Sequence, residues 1–303
     1  MNRVNLRIDF AFKHLFGSKG NEDILKGFLN AVLQKSLVAP ITSVSLDDRH
    51  LQKEYKEDKL SIMDVKAVLD TGEHVNIEIQ LANKHDMQKR SLYYWSKLYA
   101  SQMQEGMAYS ALKKAITINV LDFVLYPNYE QFQTTGVLWD VGQNFCIHED
   151  IEIHYIELPK LFAKWKDAQI NPWHDSLVRW LLLLTAHEDL NLSKTLEEIA
   201  VDQDETLHKA IYKWDAMSHN IDFRREYEAR EKLLLDEKAA MVHAKQKGME
   251  EGLKQGLQQG LEQGRIQIIQ QMYSNGFELQ EIAKIVNETV EEIQRILDVS
   301  QEG

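Results

Sequence analysis

The sequence predicts an α/β fold of the α+β kind over residues 1–160, followed by a mostly helical C-terminal region. Three observations predict it. Two amphipathic helical patterns open the chain; runs of strictly alternating polar and apolar residues recur between them and residue 158; beyond residue 160 the apolar spacing becomes three and four throughout.

Taken in order, residues 7–17 place Ile8, Phe12, Leu15 and Phe16 at helical spacing, and Gly17 suits a helix end. A second helix is predicted by Ile24, Leu25, Phe28, Leu29, Val32 and Leu33, with Asn21 as N-cap, Glu22 and Asp23 in the first turn, and Pro40 beyond its end. ITSVSL (41–46) reads as a short strand. After a charged connector come two alternating runs, IMDVKAVL (62–69) and VNIEIQL (75–81), joined through Asp70-Thr71-Gly72. A long amphipathic helix is expected from about residue 85 to residue 109, with Leu92, Trp95, Leu98 and Tyr99 along one side. Strands follow at 115–125 and 151–158.

Residues 161–245 form a helical region in which Trp173, Leu177, Trp180, Leu181 and Leu184 share a face, with Pro172 at the first helical position. The remainder, 246–303, carries Gly248, Gly252, Gly256, Gly260 and Gly264, the first four each followed by an apolar residue. A period of four drifts about 40° per step around a helix. A glycine ridge permits close approach of a second helix, so this segment reads either as an oligomerisation element, giving a homo-oligomer through the C-terminal tail, or as a solvated linker helix. In the small helical unit after it, Ile282, Ile285 and Val286 are expected to pack against Ile293, Ile296 and Leu297. Its last helix carries Glu291 and Glu292, a poor face for a DNA major groove.

With 44% hydrophobic residues, 14 Gly and 4 Pro in 303 residues, the chain is not disordered throughout. The lone Cys146 excludes an intrachain disulfide framework and a cysteine-rich zinc site, and reads as a small buried hydrophobe in a reducing compartment. His148 and His154 read as ordinary polar positions. No apolar leader and no stretch of about 18 apolar residues is present, which predicts a soluble, cytoplasmic protein without a membrane partner. The net charge of −12 argues against a polyanionic partner until it is located. Residues 1–125 hold 17 Lys and Arg against 15 Asp and Glu, whereas residues 126–303 hold 18 against 32. The acidity therefore belongs to the second part, and an anion-binding surface remains open in the first.

The two alternating runs carry the chemistry. Met63, Val65, Ala67 and Leu69, with Val75, Ile77, Ile79 and Leu81, make one face apolar; Ile62, Asp64, Lys66 and Val68, with Asn76, Glu78 and Gln80, make the other a mixed polar face. A three-residue turn with Gly72 in the left-handed conformation makes opposed residue numbers sum to 142, so Asp64 opposes Glu78 and Lys66 opposes Asn76. Two opposed carboxylates about 5 Å apart repel by roughly 3 kcal/mol at an effective dielectric of about 20, and by under about 1 kcal/mol in open water. A solvated face tolerates the pair. A face covered by a helix needs a cation, for which Mg²⁺ is suited by its preference for one or two carboxylates plus waters and phosphates.

These residues, Ile62-Met63-Asp64-Val65-Lys66, the glycine turn, Asn76-Ile77-Glu78-Ile79-Gln80, then Arg90, Tyr93, Tyr94 and Gly106-x-x-Tyr109, resemble the Rpn/YhgA-like family of recombination-promoting nucleases, also described as transposases, of the PD-(D/E)XK type. The opening Asp9-Phe10-Ala11-Phe12-Lys13-His14-Leu15-Phe16-Gly17 and the glycine-tetrad tail are similar to that family as well. The resemblance implies a restriction-endonuclease-like core and a Mg²⁺-dependent DNA endonuclease, with Asp64 and Glu78 as metal ligands. Gln80 stands where the superfamily usually has lysine; its amide orients a water but supplies no charge. Lys66, on the same face, is the candidate replacement, or else an ordinary cross-strand charge. The resemblance further implies phosphate contacts from Arg90 and Tyr94, an accessory acid in Asp9, and packing roles for Tyr93 and Tyr109. Sequence specificity is expected to be low.

Overall fold

The computed structural model describes residues 3–46 and 65–299. Two compact units are present, Met1–Leu233 and Leu234–Gly303. The first contains α1 (Asp9–Phe16), α2 (Glu22–Val32), β1 (Val44–Leu46), β2 (Val65–Leu69), β3 (His74–Gln80), α3 (Met87–Ala100), β4 (Ala115–Leu121), β5 (Gln133–Trp139), β6 (Cys146–Glu157), α4 (Leu158–Lys166), α5 (Ser176–Leu183), α6 (Leu190–Gln203) and α7 (Glu205–His219). It also holds the start of α8 (Ile221–Ser274), whose remainder belongs to the second unit with α9 (Leu279–Val286) and α10 (Val290–Val299).

The strands form one mixed sheet in the order β1-β2-β3-β4-β6-β5. The first three are antiparallel, β3/β4 and β4/β6 are parallel, and β5 returns antiparallel along the edge. The fold class is thus the expected one, with one strand more: β5 escapes the alternation rule because five of its seven residues are exposed.

The β2–β3 hairpin has the expected register. Val65 opposes Ile77 and Lys66 opposes Asn76, and the turn is closed by Leu69 N–H to Glu73 O (2.9 Å) and Gly72 N–H to Leu69 O (2.9 Å). Gly72 has φ +99°, a conformation that a side chain strains. Through β4 the two faces of the sheet then diverge. Val75, Ile77 and Ile79 align with Ile116, Ile118 and Val120, whereas Asn76 and Glu78 align with Thr117 and Asn119. On the aliphatic face α1 comes so close that a Cβ at Gly17 would lie 3.1 Å from Val65 Cγ2. The polar face lies under α3, whose Trp95 Nε1 donates to Ala115 O (2.9 Å).

Several elements differ from expectation for local reasons. α3 ends at Ala100 because the Gln102 carboxamide clamps Lys113, donating to its carbonyl and accepting from its N–H, both at 2.9 Å. The helix seats Met87, Ser91 and Leu98, leaving Leu92 51% exposed. α5 starts after Asp175, whose carboxylate accepts from Val178 N–H; Pro172 lies ahead of it and uses its carbonyl to accept from Arg179 Nε. Asn21 sits at the N-cap position of α2, but its amide donates to Leu15 O (2.8 Å) and so ties α2 to α1. Trp180 on α5 closes this corner against Phe16 and Phe28.

In the second unit, Ile269, Ile282, Ala283, Ile293 and Leu297 form a small core flanked by Val286 and Ile296. Ile285, expected within it, is exposed. The five tetrad glycines lie on α8 with open space around each, and Met249, Leu253, Leu257 and Leu261 are exposed beside them. Among the described residues no helix is long and apolar enough to cross a membrane.

Candidate active site

Glu78 lies in the middle of the sheet, on β3 between β2 and β4, with side chain toward α3. It is 3% exposed. The charge that answers it comes from α3: Arg90 reaches Glu78 Oε1 through Nη2 at 2.5 Å and Nε at 2.8 Å. The second oxygen, Oε2, has no hydrogen-bond partner among the described residues. Beside it on β4, Asn119 donates its amide to His154 O (3.0 Å), and its Oδ1 is likewise buried and unpartnered. Asn76 and Thr117, one register step back, bury unpartnered polar atoms too. The polar face is therefore covered, and the cation paired with Glu78 is Arg90.

Burial pushes the Glu78 carboxyl up; Arg90 pulls it back by charge and hydrogen bonding, and the Asp86 carboxylate adds a further upward push. The net direction is upward from the ordinary carboxylate value, as expected for a buried acid whose strong donor among the described residues engages one oxygen.

The other anticipated residues are placed as follows. Lys66 is half-buried on β2, on the Glu78 side, opposite Asn76, and has no ion-pair partner among the described residues. Gln80 ends β3 with its amide donating to Ala82 O at 3.4 Å, while its backbone carbonyl accepts from Asp122 N–H. Tyr94, half-buried, lies one turn along α3 with the Arg90 guanidinium 5.2 Å from its ring centroid. Asp9 opens α1 and its carboxylate accepts from Arg230 Nη2 (2.5 Å) and Nε (3.1 Å). Asp64 lies outside the described residues, with Ile62 and Met63. Tyr93 and Tyr109, expected to pack, are 52% and 83% exposed.

Among the described residues no group of three His, Cys, Asp or Glu side chains gathers as a metal site. What they provide is one buried carboxylate oxygen, of Glu78, and two buried amide oxygens, of Asn76 and Asn119, on adjacent strands and all without donors. Hard oxygen atoms of this kind fit Mg²⁺, which keeps several waters and needs few protein ligands, better than a closed zinc site.

The family model of the PD-(D/E)XK nuclease family transposases matches residues 6–244. The chain belongs to this family. Comparisons with curated proteins and with solved structures gave no match.

For a PD-(D/E)XK nuclease family chain, a second polar cluster was not legible in the sequence. On the aliphatic face, Glu152 of β6 is contacted by His154 Nε2 (2.5 Å) and Lys114 Nζ (2.6 Å), and His154 Nδ1 meets Thr135 Oγ1 at 3.1 Å. Burial pushes the Glu152 carboxyl up, but hydrogen bonds from His154, Lys114 and Ser36 outweigh it and bring it down to about 2. His154 is thus a buried partner and His148 an exposed one, at opposite ends of the strand. The available signal was the alternation of Glu152 and His154 with the apolar Ile151, Ile153 and Tyr155 along β6. Cys146 is half-buried, its thiol facing His148 O at 3.4 Å.

Proposed function

We propose that the chain is a Mg²⁺-dependent DNA endonuclease of low sequence specificity, serving DNA recombination or transposition. The observation that carries this reading is Glu78: a buried carboxylate, fixed by Arg90 through one oxygen and unpartnered among the described residues at the other, on the hairpin in which Val65 opposes Ile77 and Lys66 opposes Asn76. Asp64 and Glu78 would hold the ion, with Asn119 Oδ1 adjoining. A divalent ion there neutralises charge on the phosphate and lowers the pKa of a water. Gln80 orients the attacking water through its amide, and Lys66 contributes the positive charge that glutamine lacks. Arg90 and Tyr94 face the phosphate next to Glu78. Asp9, held by Arg230, is the accessory acid of this scheme, acting on the arrangement of α1.

A catalytically weakened nuclease fold that binds DNA or a partner is the alternative. It is favoured by the same Arg90 contact, which already neutralises Glu78, and by the Gln80 amide being engaged on Ala82. Supercoiled plasmid separates the two. The full chain is expected to nick it with Mg²⁺ and not in EDTA, and Asp64→Ala to lose the nicking; undiminished nicking by Asp64→Ala would remove that residue from the site, and DNA retention without cleavage would establish the alternative.

For the tail, the open glycine ridge and the exposed Met249, Leu253, Leu257 and Leu261 support homo-oligomerisation through residues 246–303. Sedimentation should show a multiple of 35.3 kDa for the full chain and a monomer once 246–303 are deleted. Equal oligomeric states would refute the role. A cytoplasmic location accords with the single cysteine.

A further inference from the structure

We propose that the outer surface of α3 is a stacking platform for an unpaired DNA strand, which makes single-stranded or frayed DNA the preferred substrate class of the Glu78 site. This rests on the nuclease reading for its consequence, though not for its test.

The helix presents two adjacent rows. Lys89, Tyr93 and Lys97 stand at intervals of four on the exposed side, and Arg90 and Tyr94 form the neighbouring row that leads inward. Contacts run continuously between them. Lys97 Nζ lies 4.9 Å from the Tyr93 ring centroid, Tyr93 meets Tyr94 at 5.6 Å with the rings at 60°, Arg90 lies over Tyr94, and Arg90 grips Glu78. A surface aromatic is thereby connected to the buried carboxylate through three side-chain contacts.

Charge complementarity specifies the occupant. The fourteen residues of α3 contain Lys89, Arg90 and Lys97 and no acid, in a chain of net charge −12; with Arg90 engaged on Glu78, the outward charge is that of the exposed Lys89 and Lys97. Exposed tyrosine and leucine set among cations is the pattern that holds single strands: the backbone follows the positive charge while bases stack on aromatic faces. Duplex DNA does not offer this contact, because its base faces are already stacked on one another. Nor do Tyr93 and Leu92 supply the bidentate donors that read base edges in a groove.

The test measures binding alone, by fluorescence anisotropy of the full chain in EDTA. Three labelled DNAs serve: a single strand of about 16 nucleotides, its duplex, and an abasic strand of the same length. The base-bearing single strand is expected to bind roughly tenfold more tightly than either of the others. Tyr93→Ala should lose about tenfold on that strand while leaving the abasic strand unchanged, and Tyr93→Phe should retain wild-type affinity. Tyr212→Ala, which removes another exposed tyrosine, serves as a control and should have no effect. Equal binding of base-bearing and abasic strands by the wild type, or an unchanged affinity in Tyr93→Ala, would overturn the platform. Because metal is absent, these outcomes are independent of plasmid nicking: a nuclease without strand preference keeps the proposed function and loses only the platform.

Discussion

Glu78→Gln is expected to reduce Mg²⁺-dependent nicking by about a hundredfold or more, while the variant remains at least as stable as the wild type above neutral pH. The two effects have one origin. Glutamine keeps the shape and one oxygen but removes the charge that a divalent ion requires. The folded protein holds the Glu78 carboxyl above its ordinary value, principally through burial, so its stability contribution is present at acid pH and is lost as pH rises through that raised value. Ionised Glu78 is therefore a net strain on the fold, which Arg90 offsets only in part. Melting temperatures measured at pH 5 and pH 8 should show the variant gaining on the wild type as pH rises. In the wild type, nicking should climb on the alkaline side of the ordinary carboxylate range, since only the ionised form binds metal. Wild-type nicking by Glu78→Gln would remove the central residue of the proposed site.

Glu152→Gln should do the opposite. Here the folded carboxyl is brought down to about 2 by His154, Lys114 and Ser36, from an ordinary carboxylate value of 4.5, with a side chain 5% exposed. That difference corresponds to on the order of 3 kcal/mol of stability at neutral pH. It is fully present above about pH 4.5 and disappears as pH falls through about 2. Urea unfolding at pH 7 should therefore show Glu152→Gln less stable by roughly that amount, with the two proteins converging below pH 3. A variant as stable as wild type at pH 7 would show that the cluster contributes nothing net. Two carboxylates buried on opposite faces of one sheet are thus pushed in opposite directions, and the one left without enough donors is the one proposed to meet a ligand.

The hairpin was legible because it depends on local rules. A period of two and one glycine turn fix which residues face each other, and the register of Lys66 with Asn76 follows. What covers a face is not local. Nothing in the residues of β3 states that α3 will lie over Asn76 and Glu78, so a solvated face and a covered one read alike until Arg90 is seen on Glu78. The same limit explains Tyr93 and Leu92. Their aromatic and apolar character suggests packing, yet the buried side of α3 is that of Met87, Ser91 and Leu98, with Met87 seated in a cluster with Leu121 and Tyr155. β5 was missed for the converse reason: an edge strand with a mostly exposed surface need not alternate. In α5, Pro172 suggested the start and Asp175 provides it, because a carboxylate that accepts from Val178 N–H caps the helix and proline offers no acceptor side chain.

The cation-only helix α3 also has a kinetic consequence. At low ionic strength, with a Debye length of about 30 Å, an approaching polyanion senses the whole chain and is repelled. Near physiological salt that length shrinks to about 8 Å, and only charges close to the point of arrival are felt. On the proposed platform an incoming strand would then be turned away from most of the surface but drawn in where the exposed Lys89 and Lys97 stand on a helix without an acid. Capture on the proposed platform should then depend on the direction of approach, with added salt first helping the encounter before it weakens it.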